Sequence, residues 1–296
     1  MPPRKVLLRV PATSANLGPG FDCLGLALDL WAQFTLEARD APVPPPDDPL
    51  LAVVLEAVAA YHAASAIEAP AGLSVAWQGD IPVARGLGAS AVARAAGLVG
   101  ANALAGGLLG LEDLLPLGAE LEGHADNIAP ALFGGLQVAV WEGQRVTHVA
   151  VPLPPRLRVV LLVPERTMPT DESRRLLPSP VAREDAVFNV GRVALLVAAL
   201  ASGRLDLLDT ATADRLHQPA RSPLLPGMDQ IMAAARTAGA LCSYLSGGGS
   251  TIAAWTLEDG EEIADAMRRA AEAAGSGGRI IVTRPSESGA EIISAE

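Results

Sequence analysis

The alternation of apolar and polar residues divides the first half of the chain into short strands and longer helices. Residues 6–10 predict a first strand, and the alternation over 24–37 predicts one long strand or two joined ones. A run rich in strong helix formers occupies 91–105 and predicts a helix after a glycine-containing loop. The other elements predicted in this half are helices over 50–64, 111–122 and 127–132, a strand over 73–77, and a hairpin of strands 136–141 and 146–151.

The second half begins after three closely spaced prolines, Pro152, Pro154 and Pro155, which mark a predicted domain boundary. We expect an N-terminal domain over 1–152 and a C-terminal domain over 153–296. The pattern predicts strands over 157–163, 241–245, 251–255 and 279–283, a last strand near Glu291, and helices within 170–177, 185–201, 209–216, 228–238 and 261–274. A core that runs strand, helix, strand, strand, helix, strand is typical of the split βαβ, ferredoxin-like arrangement.

Composition narrows the class of protein. Half of the 296 residues are apolar, so a sizeable core is expected. The net charge of −11 is unfavourable for a general nucleic-acid binder. Cys23 and Cys242 provide neither a disulfide framework nor metal-ligand spacing, which favours a reducing, cytoplasmic compartment. The sequence shows neither a signal-peptide pattern nor an uninterrupted apolar run of transmembrane length, so we expect no membrane partner.

The stretch I-P-V-A-R-G-L-G-A-S at 81–90 is a candidate anion site. Gly86 and Gly88 allow positive φ angles and a close approach of the backbone to a ligand. The predicted helix that follows would point its first amides and its positive dipole end at the same place, with Ser90 beside a phosphate or its metal ion. The alternative is an ordinary turn before a core helix, because short glycine motifs alone are weak evidence. The chain has no P-loop motif, so any nucleotide site is of another type.

Acidic, amide and imidazole side chains cluster around Gly123. They are Glu120, Glu122, His124, Asp126 and Asn127. Carboxylates beside phosphate oxygens are the usual way to hold Mg²⁺. The alternative is a solvated helix end, which proximity to a phosphate loop makes less favoured. A transition metal has no support from a second histidine or cysteine cluster.

Other polar residues could bind a small molecule. The loop 11–22 offers the Asn16 amide and the Asp22 carboxylate, although an Asn-Gly-Pro turn with a capping aspartate explains them equally well. Arg174 and Arg221 suit a carboxylate or phosphate, whereas most arginines are simply surface charges. The glycine-rich stretch 246–251 is a second place where backbone can approach a ligand, or a flexible hairpin loop.

Taken together, these stretches resemble the GHMP kinases over nearly the whole chain. Three motifs of that family occur in order, P-A-T-S-A-N-L-G-P-G-F-D at 11–22, P-V-A-R-G-L-G-A-S-A at 82–91 and S-G-G-G-S-T at 246–251. The branch that acts on homoserine is marked by G-H-A-D-N-I-A-P-A-L-F-G-G at 123–135, D-A-V-F-N-V-G-R-V-A at 185–194 and L-H-Q-P-A-R at 216–221. A single short motif is weak evidence, but this ordered series is specific.

The resemblance implies an α+β, two-domain GHMP kinase fold. Its N-terminal domain would resemble domain 2 of ribosomal protein S5, and its C-terminal domain would be a ferredoxin-like α/β sandwich. The implied activity is the ATP- and Mg²⁺-dependent phosphorylation of the side-chain hydroxyl of L-homoserine, which serves threonine biosynthesis. The active site would lie between the domains, with ATP and L-homoserine as its small-molecule partners.

The resemblance also assigns roles to residues. The ATP phosphates would be held by the loop of Pro82, Val83, Ala84, Arg85, Gly86, Leu87, Gly88, Ala89, Ser90 and Ala91. Mg²⁺ would be bound by Ser90 and by a carboxylate, Glu120 before Glu122. The amino-acid pocket would be lined by Asn16, Asp22, His124, Asn127, Thr170, Arg174 and Arg221. Asp22 and Asn127 would position the substrate, and no general base is evident because Lys5 is the single lysine of the sequence.

Two motifs depart from the family pattern, at three positions in all. The usual G-L-G-S-S reads with Ala89 in place of the first serine, and the usual S-G-A-G-P-T has Gly248 and Ser250 in place of alanine and proline. Because backbone amides do most of the phosphate binding, we expect an altered site that still functions.

Three other functions compete with this interpretation. The chain could be a GHMP kinase for another small alcohol such as mevalonate, a non-catalytic ligand-binding relative, or an RNA-binding protein on the same scaffold. The homoserine motifs argue against another acceptor alcohol, and the retained Ser90 and Glu120 argue against a non-catalytic relative. The acidic net charge argues against RNA binding. A homodimer is compatible with the sequence, because many soluble enzymes are C₂ dimers, but no residue pattern specifies one.

Overall fold

The computed structural model describes residues 2–296, apart from the side chains of Thr170 and Asp171. The first half contains β1 (Lys5–Ala15), β2 (Leu24–Arg39), α1 (Pro49–Ser65), β3 (Gly72–Gly79), α2 (Ala89–Leu104), α3 (Leu111–Glu122), α4 (Ile128–Phe133), β4 (Leu136–Glu142) and β5 (Arg145–Val151). The second half contains β6 (Arg158–Val163), α5 (Thr170–Arg175), α6 (Arg183–Ser202), α7 (Leu208–Ala211), α8 (Gln218–Arg221), α9 (Met228–Thr237), β7 (Cys242–Leu245), β8 (Ile252–Thr256), α10 (Glu261–Ala273), β9 (Arg279–Thr283) and β10 (Glu291–Ala295).

The N-terminal sheet is antiparallel and is organised around β2. Within the described chain it has the strand order β10-β1-β2-β4-β5, with β3 also paired to β2. The 16-residue β2 pairs with β4 at its start, over 24–26, and with β3 over 32–39. This single long strand accommodates two partners on one side, as the extended alternation of its sequence allows.

Helix α2 fills the core of this half with small side chains. Most of its alanines are buried, and a Cβ added at Gly97 would lie 2.4 Å from the Val54 carbonyl oxygen of α1. Small residues therefore let the two helices pack closely. Helix α1 begins at Pro49, and the Asp48 carboxylate caps it by accepting a hydrogen bond from the Leu50 amide. The alanine-rich sequence of α2 thus allows this helix to pack closely inside the domain.

The C-terminal sheet has the order β7-β8-β6-β9, and every pair in it is antiparallel. Helices α9 and α10 pack on it beside one another, and buried Ile231 and Met267 contribute to the core that they share with the sheet. This is the ferredoxin-like order that the sequence predicts. Helices α5 to α8 lie between β6 and α9 in the sequence and carry several of the predicted site residues.

Three details differ from the sequence predictions. Strand β1 continues to Ala15, although 11–22 was expected to be loop, because a register shift after Pro11 lets pairing with β2 continue. The helix expected over 209–216 ends at Ala211, because the Asp214 carboxylate accepts hydrogen bonds from the Leu216 and Gln218 amides and begins a new turn.

The last strand also differs from the expected division of the chain. β10, expected within the C-terminal domain of 153–296, pairs with β1 in the N-terminal sheet. The Arg9–Glu291 ion pair accompanies this pairing. The chain therefore crosses between the two sheets twice, after β5 and after β9. The boundary at 152/153 itself remains a prediction.

Helix α6 combines an apolar sequence with anchoring polar contacts. Among the described residues it is the helix that is long and apolar enough to cross a membrane by length and composition. Asn189, Leu196 and Leu200 of this helix are nevertheless buried against the rest of the protein. Val187 and Val190 of the same helix are 66% and 70% exposed.

Candidate active site

A cavity of about 610 Å³ lies between the two halves of the molecule and gathers most of the predicted site residues. The predicted residues that line it are Asn16, Asp22, Val83, Ala84, Gly86, Leu87, Gly88, Ala89, Ser90, Glu122, His124, Asn127, Arg174 and Arg221. Pro82, Arg85, Ala91 and Glu120 lie outside the lining, and the side chain of Thr170 is outside the described residues. A cavity of about 700 Å³ elsewhere, near Trp31 and Arg284, contains none of the predicted residues.

The glycine loop has the backbone conformation that its sequence predicts. Gly86 and Gly88 have φ angles of 72° and 69°, and Ala84 also has a positive φ of 56°. Gly88 is the N-cap of α2, so the first amides of this 16-residue helix open at the loop. Unpaired amides and the positive end of the helix dipole make this end of the cavity attractive to an anion.

Gly86 is packed against the second glycine-rich loop. A Cβ at Gly86 would lie 2.1 Å from the Ser246 carbonyl oxygen. The Ser246 hydroxyl donates to the Gly86 carbonyl at 2.6 Å, and the Thr251 amide donates to the Arg85 carbonyl at 3.2 Å. The loop 246–251 therefore supports the first loop, and its Gly248 lines the cavity. The sequence had allowed either a ligand contact or a flexible hairpin at this loop.

Gly88 is packed against the first strand and the acidic segment. A Cβ at Gly88 would lie 1.8 Å from Thr13 Oγ1 and 3.0 Å from Asn127 Oδ1. Thr13 donates its hydroxyl to Asn127 at 2.7 Å and its amide to the Leu87 carbonyl at 3.2 Å. Three segments that are distant in sequence thus fix the conformation of one glycine.

The Arg85 side chain, within the loop expected to bind ATP, does not line the cavity. Its guanidinium donates to the carbonyl oxygens of Pro164 and Glu165 at 3.0 and 2.8 Å. These bonds attach the glycine loop to the segment after β6. Ala91 is buried inside α2, so its side chain does not reach the cavity either.

The two departures from the family pattern have different surroundings. Ala89 lines the cavity, so the site lacks a hydroxyl there. Ser250 is buried and donates its hydroxyl to the Arg166 carbonyl at 2.5 Å. The serine in place of proline therefore makes a local structural bond outside the cavity.

Of the two candidate metal ligands, Glu122 rather than the expected Glu120 lies beside Ser90. Glu120 is exposed on α3, whereas Glu122 is 7% exposed and accepts a hydrogen bond from Ser90 at 2.6 Å. Residues two apart on a helix point about 200° away from each other, so the two carboxylates cannot both face the cavity. Arg94, which sequence reasoning missed, donates to Ser90 at 2.5 Å and pairs with Glu122.

His124 and Asp126 form a buried pair behind this position. His124 Nδ1 lies 2.5 Å from Asp126 Oδ1, and its Nε2 lies 3.7 Å from Glu122. Burial lowers the pKa of His124, but the Asp126 hydrogen bond and the charges of Asp126 and Glu122 outweigh it, so the pKa is raised above 6.5. One polar atom each of Asp22, His124 and Asp126 lies within 4.8 Å of the other two, a group suited to a cation.

Asp22 and Arg174 meet across the cavity although 152 positions separate them. Arg174 donates to the two Asp22 carboxylate oxygens at 3.0 and 2.5 Å, with each side chain 32% exposed. Asp22 has a φ of 57°, and its amide donates to Asn16 Oδ1 at 3.0 Å. Asn16 in turn donates to the Gly247 carbonyl at 3.0 Å. The charged pair is therefore held by the first loop and stays accessible from the cavity.

Arg221 is a nearly fully buried cation at the end of the cavity. Its guanidinium donates to the Gly247 carbonyl at 3.2 Å and to His217 Nδ1 at 2.8 Å. His217 Nε2 lies 2.7 Å from the Gly18 carbonyl and donates to it, which leaves Nδ1 as the acceptor. Burial, and next the positive charge of Arg174, lower the pKa of Arg221 to about 10.

Phe21 lies close to both arginines, a contact that sequence reasoning did not assign. The Cζ atoms of Arg174 and Arg221 lie 5.3 and 5.5 Å from the centroid of its ring. Both distances are within the range of cation–π contacts. The aromatic ring in the motif at 11–22 was the available signal for this arrangement.

Asn189 explains why the homoserine-branch motif of α6 contributes to the site without lining it. Its amide donates to the Pro19 carbonyl at 3.1 Å and to Asp214 at 2.7 Å, and it accepts from the Arg215 amide at 2.9 Å. Asn189 thus ties the loop that carries Asp22 to the segment that carries His217. Asn189 therefore positions pocket residues although its own side chain does not line the cavity.

The oxygen donors beside the glycine loop suit Mg²⁺. The Ser90 hydroxyl and the Glu122 carboxylate are hard ligands next to an anion site, and Mg²⁺ typically takes one or two such groups together with phosphate oxygens. Among the described residues, the buried side-chain polar atoms without a hydrogen-bond partner are Arg94 Nε and Thr251 Oγ1. Of these two atoms, Arg94 Nε belongs to the side chain that contacts the proposed ligands Ser90 and Glu122.

Comparison with known proteins agrees with the geometry. Models of the GHMP kinases N-terminal domain and of the GHMP kinases C-terminal region match residues 52–135 and 196–273. A homoserine kinase of Moorella thermoacetica is 45% identical over 89% of this chain and 92% of its own length. One of Thermus thermophilus is 42% identical over 93% of this chain and 94% of its own length.

Solved structures give the same result. A homoserine kinase from Cytophaga hutchinsonii superposes with a TM-score of 0.88 and 30% identity, covering 98% of both chains. A mevalonate kinase from L. major, solved with R-mevalonate, is 18% identical with a TM-score of 0.67, which shows the shared fold alone. The N-terminal and C-terminal domains of the expected fold are both present. The chain therefore belongs to the GHMP kinases, within their homoserine kinase branch.

Proposed function

We propose that this protein transfers the γ-phosphoryl group of ATP to the side-chain hydroxyl of L-homoserine. One observation carries the proposal. An anion site at the start of α2 faces, across one cavity, a pocket with side chains of both charge signs, Asp22 on one side and Arg174 and Arg221 on the other. A zwitterionic amino acid with a reactive hydroxyl matches such a pocket.

The triphosphate and the adenine ring of the nucleotide need different binding surfaces. The triphosphate binds at the amides of Gly86, Gly88 and the first turn of α2, where backbone rather than side chains meets the phosphates. Leu50, Val53 and Val83 also line the cavity and supply apolar surface for the adenine ring. The base and the phosphates would then span from the N-terminus of α1 to that of α2.

Mg²⁺ would be held by Ser90 and Glu122, the oxygen donors beside the glycine loop. When bound, the ion neutralises charge that accumulates on the phosphate oxygens. The protein contributes the fixed position of these donors, because the Ser90 hydroxyl is bonded to Glu122. His124 and Asp126 lie behind Glu122 and restrict its movement.

L-Homoserine would use the charged pair that the structure shows. Its ammonium group binds Asp22, helped by the nearby Asp126, and its carboxylate binds Arg174 and Arg221. A substrate with both charges can insert between Asp22 and Arg174 and replace each partner with one of its own groups. Mevalonate has a carboxylate but no ammonium, so it would leave Asp22 without a cation.

The chemical step needs little from the side chains beyond position. The homoserine hydroxyl oxygen forms a bond to the γ-phosphorus as the bond to the β,γ-bridging oxygen breaks, and ADP leaves. Asn127, held by Thr13, positions the hydroxyl. The hydroxyl proton leaves to phosphate or solvent, because Lys5, the single lysine of the chain, is exposed at the start of β1.

A coupled assay of ADP release tests the proposal. The acceptors would be L-homoserine, mevalonate, galactose and none, each with Mg²⁺ and ATP. We expect turnover with homoserine and only background with the others. Faster turnover with mevalonate would assign another acceptor within the family, and no turnover with any acceptor would favour a non-catalytic binding relative.

A further inference from the structure

Arg94 occupies an unusual place for a cation, beside the oxygen atoms proposed to hold Mg²⁺. It lies on α2 one turn after Ser90, so its side chain reaches back toward the glycine loop. One guanidinium nitrogen, NH1, donates to Ser90 Oγ at 2.5 Å and also contacts Glu122 Oε1. The two side chains of the ion pair are 14% and 7% exposed, so solvent screens this pair poorly.

The hydrogen bonds show why this contact matters for a metal ion. Ser90 donates to Glu122 Oε1 at 2.6 Å and accepts from Arg94. The serine oxygen and one carboxylate oxygen of Glu122, Oε1, are therefore both already bonded to a positive group. A divalent ion that binds Ser90 and Glu122 Oε1 would compete with Arg94 for these two oxygens.

A second carboxylate is available to receive the displaced guanidinium. The other terminal nitrogen of Arg94, NH2, lies 3.3 Å from Glu56 Oε2, and Glu56 on α1 is 55% exposed. The Nε atom of Arg94 is buried without a hydrogen-bond partner, so the guanidinium is incompletely satisfied where it lies. A shift toward Glu56 would keep one ion pair while freeing Ser90 and Glu122.

We propose that Arg94 is a positioning residue that acts as a built-in counter-ion for the metal site. In the metal-free protein it holds Glu122 and Ser90 in place. When Mg²⁺ binds, Arg94 gives up these oxygens and pairs with Glu56, so Arg94 and the ion compete for Glu122. This inference rests on the proposed binding of Mg²⁺ by Ser90 and Glu122.

The test uses full-length protein saturated with ADP, whose phosphate oxygens complete the proposed metal site, and measures Mn²⁺ binding by electron paramagnetic resonance, together with thermal unfolding in EDTA and in Mn²⁺. Arg94→Leu should bind Mn²⁺ about tenfold more tightly than the wild type, a typical size for coupling between two binding events. Its melting temperature in EDTA should fall, because Glu122 loses its buried partner, and Mn²⁺ should raise it more than in the wild type. Arg94→Lys, which keeps the charge but not the fork, should bind Mn²⁺ with an affinity between the two.

Two controls separate failure of this inference from failure of the metal assignment. Arg204→Leu removes an ion pair with Asp206 on the surface and should leave Mn²⁺ affinity unchanged. Glu122→Gln should weaken Mn²⁺ binding, and if it does not, the proposed metal site is wrong. If Glu122→Gln weakens binding but Arg94→Leu and Arg94→Lys both bind Mn²⁺ like the wild type, competition by Arg94 is refuted while the metal site stands. If Arg94→Leu does not fold, Arg94→Lys alone decides the question.

Discussion

The two ends of the cavity are built by different means. At the proposed phosphate end, Gly86 and Gly88 line the cavity, and neighbouring strands and loops leave no room for a side chain at either residue. At the proposed acceptor end, the side chains of Asp22, Arg174 and Arg221 line the cavity and come from three distant segments.

Because of this difference, we expect the phosphate end to be common to kinases with this fold and the acceptor end to determine which substrate is used. Backbone amides bind any phosphate in the same way, so the first end can serve every kinase with this fold and fails when its geometry changes. Charged side chains distinguish one acceptor from another, so substitutions at the second end should change which substrate is used. The predictions below test each half of this contrast.

The largest effect is expected at Gly88. Gly88→Ala places a Cβ 1.8 Å from Thr13 Oγ1 at a φ of 69°, so the loop must move. We expect kcat/KM to fall about a thousandfold, since displaced phosphate donors lose both position and charge stabilisation. Gly107→Ala is the matched control, because Gly107 has a φ of 73° with nothing within 4 Å of an added Cβ. Equal losses in the two variants would mean that backbone strain, and not the contacts of the loop, limits activity.

Glu122 and Glu120 provide the next contrast. Glu122→Gln should raise the Mg²⁺ concentration for half-maximal activity by about ten- to a hundredfold, the usual range for substitutions around a metal site. Glu120→Gln, an identical change two positions away on an exposed face, should leave the Mg²⁺ requirement unchanged. Steady-state assays across free Mg²⁺ concentrations compare them. A larger effect at Glu120 would restore the ligand order that the sequence favoured.

Ser90 should show a smaller effect. Ala89 leaves Ser90 as the one hydroxyl in the G-L-G-A-S core, so Ser90→Ala removes a proposed metal ligand and a hydrogen bond to Glu122. We expect kcat/KM to fall severalfold. A change under about twofold, or ~0.4 kcal/mol of transition-state stabilisation, would contradict its metal role.

Local sequence pattern indicated the glycine loop by itself, whereas the residues of the acceptor pocket came from the family resemblance, and the reason is physical. Glycine spacing followed by helix formers specifies a loop and helix start within ten residues. The Asp22–Arg174 pair depends on how two domains meet, and no local pattern encodes that contact. Sequence pattern could not choose between Glu120 and Glu122 because both belong to the same cluster, and only the rotation of α3 decides which one faces inward. Arg94 gave no motif signal at all.

A further prediction concerns stability rather than activity, through the support of Arg221. Burial lowers the pKa of His217 from its usual 6.5, so the unfolded chain binds a proton at a higher pH than the folded protein. Stability contributed by neutral His217 is therefore present above pH 6.5 and is lost as the pH falls below it, by up to about 1.4 kcal/mol per pH unit. Urea unfolding between pH 5 and 8, in the range about the usual pKa of histidine, should show a shallower pH slope for His217→Gln than for the wild type. Parallel slopes would show that His217 is not kept neutral.

The central claim is that the acceptor pocket recognises a zwitterion through Asp22. Its most direct test compares L-homoserine with 4-hydroxybutanoate, which lacks the ammonium group, in the wild type and in Asp22→Asn. The wild type should prefer homoserine by about a thousandfold or more in kcat/KM, as expected when a charged pocket group loses its partner. Asp22→Asn should lose most of that preference through a higher KM for homoserine. An unchanged preference, or a collapse of kcat at saturating homoserine with KM unaltered, would contradict the claim and point to Asp22 as a base.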